Sequence, residues 1–124
     1  MPVEGTTGFA SLVIEHAHTA TRYGSGTADV FATPAMIALM EQTAMRSVEP
    51  LLPDGHITLG TEVNVKHYKA VLPGQTVNCK TLLLETDGKK LLFRVEVYWN
   101  SECIGDGTHT RFIVDKHKFL SKLK

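Results

Sequence analysis

The hydrophobic pattern of the chain changes period at one point, and this change separates a helix from a series of strands. In residues 33–49, apolar side chains occupy most positions around a helical wheel, which predicts one long helix buried on most sides. Thr33 suits the N-cap and Pro34 the first helical position, where the missing N–H of proline is tolerated. Pro50 and the Pro- and Gly-containing turn at residues 53–55 are expected to end the helix.

Before and after this helix, apolar and polar residues alternate, which is typical of β-strands. Residues 10–19 alternate so that His16 and His18 fall on the same face of a first strand. In the next strand, Gly60 is unusual, because a glycine weakens strand packing unless another group must approach the backbone closely. One predicted face of that strand carries Ile57, Leu59, Thr61, Val63, Val65 and His67.

Three further β-rich runs complete the chain. Residues 75–86 and 89–99 flank a Thr-Asp-Gly-Lys sequence typical of a hairpin turn. Residues 102–115 predict a last strand, with a bulge or bend at the two glycines within 105–107. The order of strand, helix and four strands predicts a single α+β domain over residues 1–124, in which a curved antiparallel sheet wraps around one long central helix.

Composition narrows the range of partners. Thirteen basic residues balance thirteen acidic ones, which argues against nucleic acid, and the lysine-rich end from Lys116 to Lys124 is interpreted as a solvated tail. No apolar run reaches the ~20 residues needed to cross a bilayer, so no membrane partner is expected. Cys79 and Cys103 lack a metal-binding spacing and are expected to be reduced thiols in a cytoplasmic protein without a signal peptide.

Glu41 is the residue that most suggests chemistry. Its neighbours three and four positions away on the helix surface are all apolar, namely Ile37, Ala38, Ala44 and Met45. A carboxylate within an apolar stripe favours a paired or catalytic role, although capping a loop amide or pairing with Arg46 would be a structural alternative. His67 and Thr33 could likewise be a satisfied strand-end histidine and a helix cap.

Two segments together resemble a known family. The runs Ala32–Glu41 and Leu59–His67, with the spacing Thr33-x7-Glu41-x25-His67, resemble the hotdog-fold acyl-CoA thioesterases, in particular those of the fluoroacetyl-CoA thioesterase type. The resemblance covers roughly residues 10–117. It implies a hotdog fold, a catalytic set of Thr33, Glu41 and His67, and a homodimer with active sites at the subunit interface. It further implies that an acyl-CoA thioester is the substrate, with no separate cofactor and no metal, and that the acyl and CoA sites are lined by Gly60, Thr61 and Arg111.

The chain departs from that type before the helix. The fluoroacetate-selective enzyme carries phenylalanines in a lid, whereas the corresponding stretch here is about Gly24 to Thr27. This difference directs the expectation toward a short- or medium-chain acyl group rather than fluoroacetyl.

Thioester hydrolysis needs an activated water or carboxylate, a proton donor for the thiol and donors for the oxyanion. Glu41 could serve as general base or as nucleophile, His67 as acid and base, and Thr33 as an orienting hydroxyl. Eight helical residues place Thr33 and Glu41 roughly 12 Å apart, so they cannot bond directly unless the helix starts late or one comes from a neighbouring subunit. Arg111 is a candidate for the CoA phosphates, with a surface or interface role as the alternative.

Three other interpretations compete with hydrolysis. The first is a non-catalytic domain that binds or senses acyl-CoA. The second is a hydratase on the same fold, which usually pairs Asp and His near a helix start, and no such pair is present here. The third is a metal pair at His16 and His18, for which no third ligand occurs at a clear spacing.

Overall fold

A computed structural model describes all 124 residues, Met1–Lys124. Five strands form one antiparallel sheet in the order β1-β3-β4-β5-β2, so that β1 and β2 are its two edges. The strands are β1 (Thr7–Val13), β2 (His56–His67), β3 (Thr76–Thr86), β4 (Lys90–Trp99) and β5 (Glu102–Asp115), and the helices are α1 (Ala20–Tyr23), α2 (Thr33–Val48) and α3 (Lys116–Ser121). Short 3₁₀ turns occur at His16–His18 and Glu49–Leu51.

The long helix α2 packs against the concave face of the sheet, mainly over β1, β3 and β4. Its buried side is formed by Ala35, Met36, Leu39, Met40, Thr43, Ala44 and Val48. These side chains meet the inward residues of the central strands, including Leu91, Phe93, Val95 and Val97, which are fully buried. The prediction that α2 is buried on most sides is wrong, because Ile37, Ala38 and Met45 remain half-exposed beside Glu41.

The start of α2 differs from the prediction in one residue. Ala32 occupies the N-cap and makes no side-chain hydrogen bond to the helix, while Thr33 is the first helical residue. Pro34 still lies in the first turn. Backbone N–H groups of the first turn have no acceptor within the helix, so the missing N–H of proline costs no hydrogen bond there. The Thr33 hydroxyl is therefore not used for capping and is available to another partner.

The first strand is shorter than predicted. β1 ends at Val13, and its half-buried residues Gly8, Ala10 and Leu12 have the predicted phase. The placement of His16 and His18 on one strand face is wrong, because both lie in a 3₁₀ turn. Within this turn Nδ1 of His18 accepts a hydrogen bond from the Glu15 backbone N–H, a local contact that alternation of hydrophobicity does not reveal.

A β-bulge in β2 changes which residues face the helix. Gly60 pairs with Arg111 and Glu62 pairs with Thr110, so Thr61 has no partner opposite it. Since one extra residue reverses the side-chain alternation, the inward face carries Thr58 and Gly60 before the bulge and Val63, Val65 and His67 after it. The predicted single face through Ile57, Leu59 and Thr61 is therefore wrong for the first half of the strand.

Gly105 of β5 leaves room for α2. A Cβ atom on Gly105 would contact Sδ of Met36 and lie 2.8 Å from its Cε and 2.9 Å from the carbonyl oxygen of Lys66. The irregularity predicted at 105–107 lies slightly earlier, since Val97 pairs with Gly105 and Tyr98 with Cys103, which leaves Ile104 as the extra residue.

Two further predictions concern the C-terminal segment and the two cysteines. The C-terminal segment is solvated as predicted, since every residue from Lys116 to Lys124 except Phe119 is exposed. It is nevertheless ordered in part, because Lys116–Ser121 form α3, with the Asp115 carboxylate accepting a hydrogen bond from the Lys118 N–H. Cys79 and Cys103 are both free thiols. Cys79 is fully buried, and this burial raises the pKa of its thiol to about 11; burial also raises the pKa of Cys103. None of the helices is both long and apolar enough to span a membrane.

Candidate active site

Thr33 and His67 meet where the start of α2 faces the end of β2. Oγ1 of Thr33 lies 2.8 Å from Nδ1 of His67, a hydrogen bond between residues 34 positions apart in sequence. His67 reaches this position because it is the last residue of β2 and lies on the inward face after the bulge. The bond is possible because Thr33 does not cap its own helix.

The second ring nitrogen of His67 is buried without a hydrogen-bond partner. The edge of the imidazole meets the ring of Phe31, with centroids 6.2 Å apart and an interplanar angle of 81°. Burial lowers the pKa of His67 below its ordinary 6.5, so the ring is neutral at pH 7. A neutral imidazole with one free nitrogen can accept or donate a proton there, depending on its tautomer.

A cavity of about 290 Å³ adjoins this hydrogen bond. Its walls come from the segment before and at the start of α2 and from the residues at and after the end of β2. It is lined by Ala20, Ser25, Val30, Phe31, Ala32, Thr33, Pro34, His67, Tyr68, Lys69 and Ala70. The cavity is therefore large enough for a small organic group next to His67.

Glu41 lies two turns further along α2, in a different group of polar residues. A Cβ atom on Gly60 would lie 2.8 Å from Oε2 of Glu41, 3.1 Å from Cε1 of His109 and 3.2 Å from Nη1 of Arg111. Three functional groups thus converge on the space directly above the backbone of Gly60. Any larger residue at position 60 would fill this space, which explains the glycine in the strand.

Arg111 is buried and held by directed hydrogen bonds. The residue is only 6% exposed. Nε donates to Oγ1 of Thr58 at 2.8 Å, and Nη2 donates to the Thr58 carbonyl oxygen at 2.9 Å. Burial lowers the pKa of Arg111, while the nearby charges of Glu41 and Glu49 oppose this effect. The guanidinium makes no contact ion pair, so a desolvated positive charge is available at this position.

The predicted site residues therefore form two groups. Thr33 and His67 are brought together, and Glu41, Gly60 and Arg111 are brought together, whereas Thr61 lies exposed in the bulge with its hydroxyl 3.4 Å from the Thr110 carbonyl oxygen.

Sequence reasoning missed Thr58 and His109, which both contact Arg111. His109 could have been found from its spacing, because it lies two residues before Arg111 and therefore on the same strand face. Thr58 was assigned to the opposite face because the bulge is invisible in the pattern.

The fold is that of the hotdog-fold thioesterases. The model of the fluoroacetyl-CoA-specific thioesterase family matches residues 14–117, and the chain belongs to this family. A fluoroacetyl-CoA thioesterase from Streptantibioticus cattleyicolor is 38% identical over 96 residues, which are 77% of this chain and 69% of the relative. The resemblance, the fold and the thioesterase class predicted from the sequence are confirmed.

Solved structures agree with this assignment. A structure of the fluoroacetyl-CoA thioesterase FlK superimposes with a TM-score of 0.92 at 31% identity, over 99% of this chain and 96% of that one. A variant of FlK has been solved in complex with acetyl-CoA, and it matches with a TM-score of 0.92 at 30% identity, over 98% of this chain and 96% of that one. A thioesterase superfamily member from Thermus thermophilus has a TM-score of 0.89 at 26% identity, over 98% and 90% of the two chains.

Proposed function

We propose that the protein hydrolyses a short- or medium-chain acyl-CoA thioester, using Thr33, Glu41 and His67. The observation that carries the proposal is the 2.8 Å contact between Oγ1 of Thr33 and Nδ1 of His67 at the wall of a cavity. Nε2 of the same ring is buried without a hydrogen-bond partner, so it is the nitrogen left for proton transfer once a substrate reaches it. The two partners come from different elements and satisfy no structural requirement of the helix start.

The Thr33 hydroxyl suits both directions of proton transfer by His67. When Thr33 donates to Nδ1, Nε2 carries the hydrogen and can donate a hydrogen bond to a departing thiolate. When Nδ1 donates to the Thr33 oxygen, Nε2 carries a lone pair and can accept a proton. The hydroxyl can rotate between these roles, so it can partner Nδ1 in either tautomer of His67.

Glu41 takes part in the attack on the thioester carbonyl in one of two ways. As a general base, its carboxylate takes a proton from water while the water oxygen bonds to the thioester carbonyl carbon. The C–S bond then breaks, and the proton held by Glu41 passes to the unprotonated Nε2 of His67 and from there to the sulfur, so that both side chains regain their starting protonation states. As a nucleophile, it attacks the carbonyl directly to give a mixed anhydride and CoA, and water then hydrolyses the anhydride. Both routes give the free acid and the CoA thiol.

The surroundings of Glu41 support stabilisation of an oxyanion. Backbone N–H groups near Gly60 are candidate donors, and the charge of Arg111 lies beside the same space. Because Arg111 is buried and fixed by Thr58, it suits a static charge near the acyl group better than a contact to the mobile CoA phosphates.

A homodimer would bring the two groups of residues together. Thr33 and Glu41 lie in separate clusters of one chain, while β2 is an edge strand with an unpaired side. Antiparallel pairing of β2 with its symmetry mate would place the His67 end of one strand near the opposite end of the other. The half-exposed apolar residues Ile37 and Met45 beside Glu41 fit burial in such an interface.

The acyl group is inferred from the cavity beside His67. Ala20 and Ser25 in its lining are small, and residues 24–29 are exposed and include no aromatic side chain. Acyl chains of a few carbons can therefore occupy it without displacing an aromatic side chain.

A series of acyl-CoA esters, from acetyl to octanoyl, tests the proposal by release of free thiol. We expect turnover that peaks within the series and a loss of roughly 100-fold or more in kcat for His67→Asn, since general acid–base catalysis contributes about that much. His16→Asn, at an exposed histidine with no strand position, is the matched control and should be unaffected. Absence of thiol release across the whole series would overturn the proposal.

Repeated turnovers in H₂¹⁸O separate the two roles of Glu41. If Glu41 is the nucleophile, ¹⁸O from solvent enters its carboxylate when the anhydride is hydrolysed at the protein carbonyl, and peptide mass spectrometry detects it after repeated turnovers. If Glu41 is a general base, the isotope appears only in the acid product.

A further inference from the structure

One buried imidazole has no role in the reaction described above. His109 lies on β5 and is 1% exposed. Its Nδ1 lies 2.8 Å from the Glu62 carbonyl oxygen, and its Nε2 lies 3.1 Å from Nη1 of Arg111. The ring also stacks on Phe93, with centroids 6.4 Å apart and an interplanar angle of 27°. Each nitrogen thus has one partner, and the plane of the ring is fixed by a third residue.

These partners determine the tautomer of His109. A carbonyl oxygen can only accept a hydrogen bond, so Nδ1 must carry a hydrogen and donate it to Glu62. A guanidinium can only donate, so Nε2 must be unprotonated and accept from Arg111. Burial, the largest effect, lowers the pKa of His109; the hydrogen bond to the Glu62 carbonyl raises it by less, the Arg111 charge lowers it further and the Glu41 carboxylate raises it. The neutral ring is therefore the stable form at pH 7.

The contact with His109 keeps Nη1 of Arg111 apart from the Glu41 carboxylate. Oε2 of Glu41 and Nη1 of Arg111 both approach the space above Gly60, at 2.8 and 3.2 Å from the same point, yet they form no ion pair. Thr58 holds Nε and Nη2, while His109 holds Nη1 on the opposite side of the guanidinium. Without the His109 acceptor, the buried Nη1 would lack a partner and would turn toward the carboxylate.

We propose that His109 is a positioning residue, whose unprotonated Nε2 holds the Arg111 guanidinium beside Glu41 without allowing the two to pair. This inference rests on the proposed role of Glu41. A direct ion pair would occupy the carboxylate oxygens and make them weaker as base or nucleophile. The contact therefore keeps a positive charge near the reacting carbonyl while leaving Glu41 free to react.

Two substitutions at His109 separate positioning from packing. His109→Leu keeps the apolar contact with Phe93 but removes the acceptor, and we expect kcat to fall by roughly 10-fold or more with a smaller change in KM. The acid limb of the kcat profile should shift to lower pH, because a paired Glu41 is harder to protonate. His109→Gln can restore an acceptor to Nη1 and should recover most of kcat. His16→Leu, at an exposed position, is the matched control.

A double-mutant cycle with Arg111→Gln tests whether His109 acts through Arg111. If it does, His109→Leu lowers kcat in the parent protein and has no further effect in the Arg111→Gln background. Equal effects in both backgrounds would overturn the proposal, as would unchanged kcat in folded His109→Leu. A loss of thermal stability alone, with kcat retained, would likewise mean that His109 only packs.

Side-chain ¹⁵N NMR gives a readout that does not depend on turnover. We expect His109 to carry its hydrogen on Nδ1, and the Nη1 hydrogens of Arg111 to exchange faster with solvent in His109→Leu than in the parent protein. If the parent hydrolyses no acyl-CoA, the proposed function fails, and the NMR result still decides the contact. The opposite tautomer, or Arg111 signals indifferent to position 109, would overturn it.

Discussion

At the first residue of α2, a hydroxyl that could cap the helix is used instead by a strand. Oγ1 of Thr33 lies 2.8 Å from Nδ1 of His67, while Ala32 occupies the N-cap without a side-chain hydrogen bond. A helix start without a side-chain cap forgoes roughly 1 kcal/mol of stabilisation. The helix start is thus less stable than it could be, and the Thr33 hydroxyl serves the contact with His67 instead of the helix.

Two substitutions of Thr33 distinguish the effect of its hydroxyl from the effect of its side-chain shape. We expect Thr33→Val to lower kcat/KM by roughly 10-fold or more, because His67 loses the partner that fixes its ring and tautomer, whereas Thr33→Ser should keep most of the activity. The thermal midpoint should change little in either variant, since no cap is lost. Steady-state kinetics and thermal unfolding of both variants provide the measurement. Equal activity of Thr33→Val and Thr33→Ser would contradict the orienting role.

Gly60 provides a second prediction at the scale of one residue. In Gly60→Ala, the new methyl group would lie 2.8 Å from Oε2 of Glu41 and 3.2 Å from Nη1 of Arg111, so one of these groups must move. We expect kcat/KM to fall by roughly 100-fold, because a displacement near 1 Å at a reacting group has about that effect. The free energy of unfolding, measured in urea, should change by no more than about 1–2 kcal/mol, since flexible side-chain ends can yield. A large loss of stability with normal kinetics would contradict this interpretation.

At the scale of elements, the sequence predicts the limits of α2 and of the last strand, but not the limits of β1 or the inward face of the first half of β2. The last strand occupies the predicted residues 102–115, and α2 ends one residue before the prediction, because turn residues mark these limits. The face of β2 does not follow, since the bulge at Thr61 reverses the alternation. Gly60 beside it is a residue type common at bulges, but the alternation of apolar and polar residues continues through this point and indicates no change of face.

The same bulge explains which site residues were foreseen. His67 lies beyond it, in the half of the strand where the predicted phase is right, and its pairing with Thr33 is a contact between distant elements. Thr58 lies before it and was placed on the wrong face, so its hydrogen bonds to Arg111 could not be anticipated. Glu41 was recognised because a single charge in an apolar helix surface is a local signal.

The approach of α2 to β5 is tested at Gly105. A methyl group in Gly105→Ala would lie 2.8 Å from Cε of Met36 and 2.9 Å from the Lys66 carbonyl oxygen. We expect a loss of roughly 1–3 kcal/mol in the free energy of unfolding, measured by urea denaturation, because the core must shift to accept the extra volume. Met36→Ala should relieve part of this loss, so that the double variant is less destabilised than the sum of the two single variants. Simple additivity would mean that Met36 is not the obstacle.

For the whole molecule, the separation of the two residue groups makes subunit mixing informative. We expect a mixture of the inactive variants Glu41→Gln and His67→Asn, unfolded and refolded together, to regain up to about a quarter of the parent activity, because half of the dimers would combine one of each and contain one intact site. Each variant refolded alone is the control. No recovery in a mixture shown by native mass spectrometry to contain mixed dimers would contradict a site shared between subunits.

Two buried histidines determine how stability depends on pH. Burial lowers the pKa of His67 and of His109 below 6.5 in the folded protein. The unfolded chain therefore binds more protons than the folded chain as the pH falls below about 6.5, so stability is fully present above that pH and is lost on acidification. Urea denaturation between about pH 7.5 and 5.5 should show a falling midpoint, and the slope should be smaller in the His109→Gln variant. A midpoint independent of pH in this range would contradict the burial of both rings as neutral groups.

The protonation of the two cysteines has a practical consequence for measuring this enzyme. Because burial raises the pKa of Cys79 to about 11 and also raises that of Cys103, little of either side chain is thiolate near pH 7.5. Chromogenic disulfides react with thiolates, so the native protein should consume such a reagent slowly and CoA should consume it quickly. The absorbance change would then come from the CoA thiol that is released and not from the cysteines of the protein. This should hold even at the high enzyme concentrations needed to follow the slowest variants.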